Sequence, residues 1–473
     1  MRGRDARDRY ARYMKSGLRT VGVLLAGGVG QRVGLGAPKQ LIRIAGRSII
    51  EHTLALFNAS PEIDEIIVLM TPGFTAEVGE LVAARGFGKV SHVLEGGATR
   101  SETTWRALRA LGDAECNVLL HDAVRPLLEP RIITECVEAL KEASAVEVAI
   151  PSSDTIVVTA QGPGGEVVRE VPDRSRLRRV QTPQGFRLSV IREAYERAFA
   201  DPGFTLRPAT DDCGVVLRYL PEVPIVVVPG SERNIKVTHP VDVHIAERLF
   251  QLAASAAPLP SQDVLREALD GRSVVVFGGG HGIGAAVAEL ARGHGAVVRS
   301  FSRSLDGVRV EDAASVAKAL AEVGSVDFVV NAAEVLHVGR LAEASEAVVA
   351  GAVDVNVLGP VNVARAAHPY LRESGGALLF YTAPGPRRGQ AGHGLYCATK
   401  AAVVELTRAL ADEWEGEGIR VNCVNPCRPG TPVGASGQEP HALPSPRAVA
   451  VTSIGVLASG LTGQVVDVLA DDE

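Results

Sequence analysis

The sequence is poor in aromatic residues, at 4% of 473 positions, and holds only two tryptophans and three methionines. Its cores must therefore rely on Val, Leu, Ile and Ala. It carries no excess of positive charge: the formal net charge is −6, which leaves no whole-chain case for nucleic-acid binding. Cysteines are few and scattered, at 116, 136, 213, 397, 423 and 427. Cys423 and Cys427 stand four apart with no second ligand pair, so free thiols in a reducing cytoplasm are expected rather than zinc. No apolar run approaches membrane-span length, so no membrane span is expected. The first 18 residues are a basic tail without an apolar segment, unlike a secretory signal. A solvated tail is the preferred reading over an amphipathic helix on an acidic surface.

What the sequence does have is enough apolar residue (46%) to bury normal cores, and fifty glycines that suit tight turns. Its length predicts two to three domains. From Val21 short apolar runs alternate with longer helical stretches. Strands are expected at 66–70, 118–121, 146–150 and 225–228, and helices at 49–59, 75–85, 101–111, 131–143 and 189–199. Such alternation predicts a mostly parallel sheet covered on both faces, with ligands at the carboxyl ends of its strands.

The first strand, ending at Ala26, breaks into Gly27, Gly28 and Gly30, followed by Arg32 and Lys39. Glycines let backbone N–H groups approach phosphate oxygens, and the two cations add charge nearby. No Gly-Lys-Ser/Thr follows, so this is not a Walker loop. Taken alone it reads equally as a glycine-rich turn. Further along, Asp122 ends a strand where a carboxylate is placed to hold Mg²⁺. Residues 157–171, with a Gly/Pro tip, read as a protruding hairpin.

Taken in order, A-G-G-x-G-x-R…P-K-Q, G-G…R, H-D-A-V-R-P, D-T, D-R, T-P-Q, T-D-D and N-I-K-V-T resemble the cytidylyltransferase family of methylerythritol-phosphate and ribitol-phosphate enzymes over roughly residues 20–250. The resemblance implies that Ala26, Gly27, Gly28, Gly30, Arg32 and Lys39 grip CTP. It places Arg100 and Thr103 in the cytosine and ribose pocket, and Asp122 at the ribose and the metal. Arg174 and Lys236 would face the substrate phosphate. The hairpin would be a homodimer arm, with Arg174 serving the neighbouring site. A sugar-phosphate oxygen would attack the α-phosphorus in line and release pyrophosphate. That reaction needs alignment and charge dispersal rather than a covalent nucleophile.

Residues 251–271 shift to Ala/Ser/Pro-rich composition and read as a linker or helix end, with a short helix expected at 262–270. A second buried strand, 273–277, then breaks into Gly278, Gly282, Ile283 and Gly284, with a helix expected to follow. Arg303, at the end of the next strand, stands where an acid would bind a ribose hydroxyl. An arginine there suits the 2′-phosphate of NADPH. Asn331-Ala332 ends another strand, and Asn356 falls within a helix. Tyr396 and Lys400 lie one helical turn apart, where an ammonium favours the phenolate and tunes proton transfer.

Residues 272–473 resemble the short-chain dehydrogenase/reductase family, which implies cofactor binding by these glycines, Arg303, Asn331, Ala332, Tyr396 and Lys400, and catalysis by Asn356, Tyr396 and Lys400. The family's serine position is Ala383, preceded by Thr382, which is a candidate stand-in. The expected architecture is α/β, two tandem three-layer domains. A nucleotidyltransferase Rossmann-like mixed sheet (19–250) precedes a doubly wound parallel-sheet Rossmann fold (272–473).

Together the halves resemble bifunctional enzymes that reduce ribulose 5-phosphate with NADPH and couple ribitol 5-phosphate to CTP. The implied product, CDP-ribitol, would feed a teichoic-acid-type wall polymer or capsule. The alternative is a methylerythritol-phosphate (isoprenoid) cytidylyltransferase carrying an unrelated or degenerate reductase. Either pairing implies CTP and a pentulose or polyol phosphate as partners.

Overall fold

Strand β1, Thr20–Ala26, is buried along its whole length. Gly22 is required there because a Cβ would meet the Phe57 ring at 2.5 Å. Around β1 the computed structural model, which describes residues 18–27, 38–256, 261–382, 391–426 and 444–468, builds a seven-stranded sheet. The other strands met along the chain are β2 (Arg43–Ile44), β3 (Arg47–Ser48), β4 (Glu65–Met70), β5 (Val90–Glu95), β6 (Asn117–Asp122), β7 (Ala145–Pro151), β8 (Val158–Gly162), β9 (Gly165–Glu170), β10 (Arg178–Arg187) and β11 (Ile225–Pro229). The sheet order is β11-β7-β10-β6-β1-β4-β5, with β10 antiparallel to both its neighbours and the rest parallel. Helices Ile49–Ala59, Thr75–Arg85, Arg100–Ala110, Pro130–Glu142 and Leu188–Ala200 contribute to cores on its two faces. The chain runs outward from β1 to β5, then returns to β6 on the other side of β1. This reversal opens a crevice beyond the ends of β1 and β6, where Leu25 pairs with Asp122.

The chain divides into two compact units, residues 1–247 and 248–473. In the second, β12 (Ser273–Phe277), β13 (Val297–Phe301), β14 (Phe328–Asn331), β15 (Ala377–Tyr381), β16 (Arg420–Asn425) and β17 (Val465–Asp467) form a wholly parallel sheet in the order β13-β12-β14-β15-β16-β17. The order reverses between β12 and β14, where Phe277 pairs with Asn331. Both units are α/β, one mixed and one parallel.

Helix Pro240–Ala256 runs into the stretch 251–271, and the short helix expected at 262–270 forms as Gln262–Leu269, which buries Leu265 and Leu269 in the second unit's core. One expectation needs correction: the helical run Glu346–Ser374 is long and apolar enough to pass as a membrane span by length and composition. Its Val363, Ala364, Ala367 and Leu371 are buried in the second unit's core. The hairpin β8–β9 is an isolated two-stranded ribbon with Val158 and Val168 exposed.

Candidate active sites

At the first crevice, Ala26 ends β1 with its carbonyl taken by Gln40 Nε2 (2.6 Å) and Thr71 Oγ1 (3.1 Å), so Gln40 of the Pro38-Lys39-Gln40 motif anchors the loop's exit to its entrance. Gly28, Gly30 and Arg32 lie outside the described residues. Gly27 abuts Thr103 and Gly96: a Cβ there would stand 3.0 Å from Thr103 Oγ1. The Thr103 hydroxyl donates to Thr99 O (2.8 Å) and accepts from Gly97 N–H (3.0 Å). Thr103 is buried, so it shapes the floor beneath Gly27.

Opposite, Asp122 collects cations. Lys236 Nζ lies 2.9 Å and Arg125 Nε 3.4 Å from its Oδ2. Burial pushes the Asp122 carboxyl up, but Lys236, Arg100 and Arg125 outweigh it and hold the group well below the usual carboxylate range. Three sequence motifs are tied together here. Arg125 Nη1 donates to Asn234 O (2.7 Å), Asn234 Nδ2 to Thr182 O (2.9 Å), and Asp122 N–H to Thr182 Oγ1 (3.1 Å). Lys39 Nζ donates to Val237 O (3.1 Å), which brings it to the segment that carries Lys236. The Lys236 side chain is 41% exposed and that of Asp122 10%, so the ammonium is open to an incoming anion. Arg100 is set by the last residue of the T-D-D motif, to which no role was given beforehand. Its Nη2 lies 2.7 Å from Oδ2 of fully buried Asp212, whose Oδ1 accepts from Tyr195 OH (2.6 Å) and Thr104 Oγ1 (3.0 Å). Burial acts to lower the Arg100 pKa, yet Asp212 and Asp122 raise it above its ordinary value. Arg174 stands apart from this group: it is exposed at the hairpin's base and donates to Ser153 O (3.1 Å).

Among the described residues no cluster of three or more His, Cys, Asp or Glu is arranged for a metal ion. Asp122 is thus a single hard oxygen donor. It suits Mg²⁺, which keeps water and takes substrate phosphate oxygens beside one or two carboxylates.

The second crevice begins at Gly278, with φ +78°, where a Cβ would meet Ala333 N at 2.5 Å. Gly284 lies directly over Gly278 O. Gly282, Ile283 and Gly284 open helix Gly282–Gly293, whose first N–H groups have no helical acceptors. Beside them, Gly280 faces the hydroxyls of Ser302 and Ser304, and Arg303 between them is exposed. This cradle, which a Cβ would fill, fits a dinucleotide's phosphates. Asp306 accepts from Ser302 N–H (3.1 Å) and is committed to the loop. Asn331 Oδ1 accepts from Ala333 N–H (3.3 Å), and Ala332 N–H donates to Phe277 O (2.8 Å).

Asn356 sits in a π-helical turn, Asp354–Leu358. Its amide accepts from Val335 N–H and donates to Val335 O, both at 2.8 Å, and donates to Thr399 Oγ1 at 3.2 Å. It therefore clamps the loop after β14 to helix Gly394–Glu413. On that helix Lys400 Nζ donates to Tyr381 O (3.1 Å) and lies 5.6 Å from the Tyr396 ring centroid. Glu334, missed from sequence though it follows Asn331-Ala332-Ala333 directly, accepts from Tyr396 OH (3.1 Å) and pairs with Lys400 Nζ (2.5 Å). Thr382, the candidate stand-in for the serine, faces Lys400 from the end of β15. It is buried, and its hydroxyl is directed at Lys400 O (3.4 Å). Ala383 lies outside the described residues.

Residues 20–251 match the family model described as 2-C-methyl-D-erythritol 4-phosphate cytidylyltransferase, and residues 308–448 that described as enoyl-(acyl carrier protein) reductase. These matches define the class, a nucleotidyltransferase fused to a short-chain reductase. A Haemophilus influenzae protein named bifunctional ribulose 5-phosphate reductase/CDP-ribitol pyrophosphorylase is 41% identical over 96% of this chain and 97% of its own length. A Thermobifida fusca protein named 2-C-methyl-D-erythritol 4-phosphate cytidylyltransferase is 55% identical over 49% of this chain and 94% of its own. A solved 4-diphosphocytidyl-2C-methyl-D-erythritol synthase from Anaerococcus prevotii covers 50% of this chain and 98% of its own, at 28% identity and a TM-score of 0.44. The chain belongs to the family of bifunctional ribulose 5-phosphate reductase/CDP-ribitol pyrophosphorylases.

Proposed function

We propose that the chain makes CDP-ribitol in two steps: NADPH-dependent reduction of ribulose 5-phosphate, then cytidylyl transfer from CTP to ribitol 5-phosphate. The observation that carries this reading is the end-to-end likeness to the Haemophilus influenzae protein, over 96% of this chain. The product of the second unit is then the acceptor used by the first.

In the first unit Lys39 and Arg32 grip the triphosphate, Lys236 faces the acceptor phosphate, and Arg100 with Thr103 belongs to the cytosine and ribose pocket. Attack of the acceptor's phosphate oxygen on the α-phosphorus forms one P–O bond and breaks another, and pyrophosphate leaves. Arg125 and Lys236 keep Asp122 ionised, ready to hold Mg²⁺, which when bound spreads the negative charge of the phosphates. Arg174 on the exposed hairpin serves a partner copy, which makes the working form a homodimer through residues 157–171.

In the second unit Gly278, Gly282 and Gly284 receive the cofactor's pyrophosphate, and Arg303 with Ser302 selects the 2′-phosphate of NADPH. NADPH, when bound, supplies the hydride. Tyr396 gives its proton to the ketone oxygen while Asn356 holds the two halves of the site in register. The buried free thiols of Cys116, Cys136, Cys213 and Cys423 support work in a reducing cytoplasm.

One observation favours a second reading for the first unit. Its identity to the Thermobifida fusca methylerythritol-phosphate enzyme is 55%, above the 41% end-to-end figure. Incubation with CTP, Mg²⁺, NADPH and either ribulose 5-phosphate or 2-C-methyl-D-erythritol 4-phosphate, read by product mass, separates the two. CDP-ribitol is expected. Turnover of methylerythritol phosphate alone would transfer the chain to the second reading.

A further inference from the structure

Ketone reduction needs a proton on Tyr396 when hydride arrives. Lys400 works against this, since an ammonium beside a phenol favours the phenolate. The structure supplies an opposing charge. Glu334, on the loop after β14, places Oε2 3.1 Å from Tyr396 OH and 2.5 Å from Lys400 Nζ. A carboxylate accepts a hydrogen bond only from the neutral phenol, and it also offsets the charge of Lys400. Lys400 is held rigidly for this encounter, since its side chain is 5% exposed and bonded to Tyr381 O. Among the described residues, Lys400 from its own helix and Glu334 from the loop after β14 meet at Tyr396. Segment 383–390, with Arg387 and Arg388, lies outside the described residues.

We propose that Glu334 is a positioning residue that keeps Tyr396 protonated, and so sets the upper pH limit of ketone reduction. It takes no part in bond making. When the ketone oxygen enters, Tyr396 turns its single proton to it, and Glu334 stays on Lys400. After transfer the phenolate recovers its proton from water. One pKa governs both directions: it is the alkaline limb for reduction and the acid limb for alcohol oxidation, so the two limbs must move together.

The inference rests on Tyr396 being the proton donor, and the test keeps the two claims apart. The pH profile of kcat/KM for NADPH oxidation with ribulose 5-phosphate is measured on the full chain, Glu334→Gln, Glu334→Asp and Tyr396→Phe. Glu334→Gln should move the alkaline limb down by about one pH unit, and Glu334→Asp should leave it near its original place. A limb unmoved in Glu334→Gln, whatever the loss of rate, overturns the proposal and leaves Glu334 as a structural counter-ion. Full activity in Tyr396→Phe removes the proton donor instead, which is a separate failure. Phenolate absorbance, titrated as full chain minus Tyr396→Phe, keeps the idea testable if Glu334→Gln fails to fold. No Tyr396 phenolate should be present at neutral pH. A midpoint near neutrality would show that Lys400 governs the phenol alone, and would overturn the proposal.

Discussion

Glu147, Asp211 and Asp212 crowd one side of the first unit, with Gln184 Nε2 bridging Glu147 (2.8 Å) and Asp211 (2.9 Å). Burial, helped by the two aspartates, pushes the Glu147 carboxyl up to about 7, while the Gln184 hydrogen bond works against it. A folded-state pKa above the unfolded value means the native state binds the proton more tightly. The associated stability is complete below about pH 4.5 and is lost as pH rises through 7. Glu147→Gln should therefore stabilise the first unit by roughly 1 kcal/mol at pH 8, after allowance for partial exposure, and leave it unchanged near pH 5. Thermal melts at the two pH values check this. Lys39→Ala should lower cytidylyl transfer about 10²-fold or more, read as CTP turnover. A near-normal rate would remove Lys39 from the transition state. The motif positions 39, 100, 122 and 236 were legible in the sequence because their spacing is a familiar string. Asp212 was not legible as the anchor of Arg100. The pair is remote in sequence, and only folding buries the carboxylate beside Tyr195 and Thr104.

At the scale of elements, helix Ile49–Ala59 could be read from sequence because Ser48 caps it and accepts from Glu51 N–H. Helix Thr75–Arg85 stops at Gly86 in the left-handed region, φ +65°. Strand β10 had no such signal. Its RRVQTPQGFR run shows no alternation, because Gln181, Thr182 and Gln184 are buried polar residues satisfied by Ser231, Asp122 and Glu147. The short helix after the Ala/Pro-rich stretch was legible too: 262–270 was expected and Gln262–Leu269 forms, capped by Ser261. Leu269 is fully buried, so Leu269→Ala should cost about 2–5 kcal/mol of the second unit's stability. NADPH oxidation should then fail at a lower temperature while CTP turnover keeps its own limit. Equal thermal limits for the variant and the unaltered chain would overturn the part given to Leu269 in holding the second unit's core.

On the scale of the whole molecule, two separate crevices on one chain raise the matter of how the intermediate travels. Ribitol 5-phosphate is a small dianion, and each crevice opens at the strand ends of its own unit. Nothing in the chemistry requires both steps to occur on one polypeptide, since the sugar alcohol phosphate is stable in water. A chain with Lys39→Ala still reduces the ketone, and one with Tyr396→Phe still transfers cytidylyl. Mixed in equal amounts with ribulose 5-phosphate, NADPH, CTP and Mg²⁺, the two crippled chains should regenerate CDP-ribitol after a lag in which free ribitol 5-phosphate accumulates. Added ribitol 5-phosphate should abolish the lag. If the unaltered chain makes CDP-ribitol with no lag and no free ribitol 5-phosphate, while the mixture shows both, the intermediate is handed over within one chain. The physical account would then need a path that holds the dianion away from water, lined by cations other than those assigned to the two crevices.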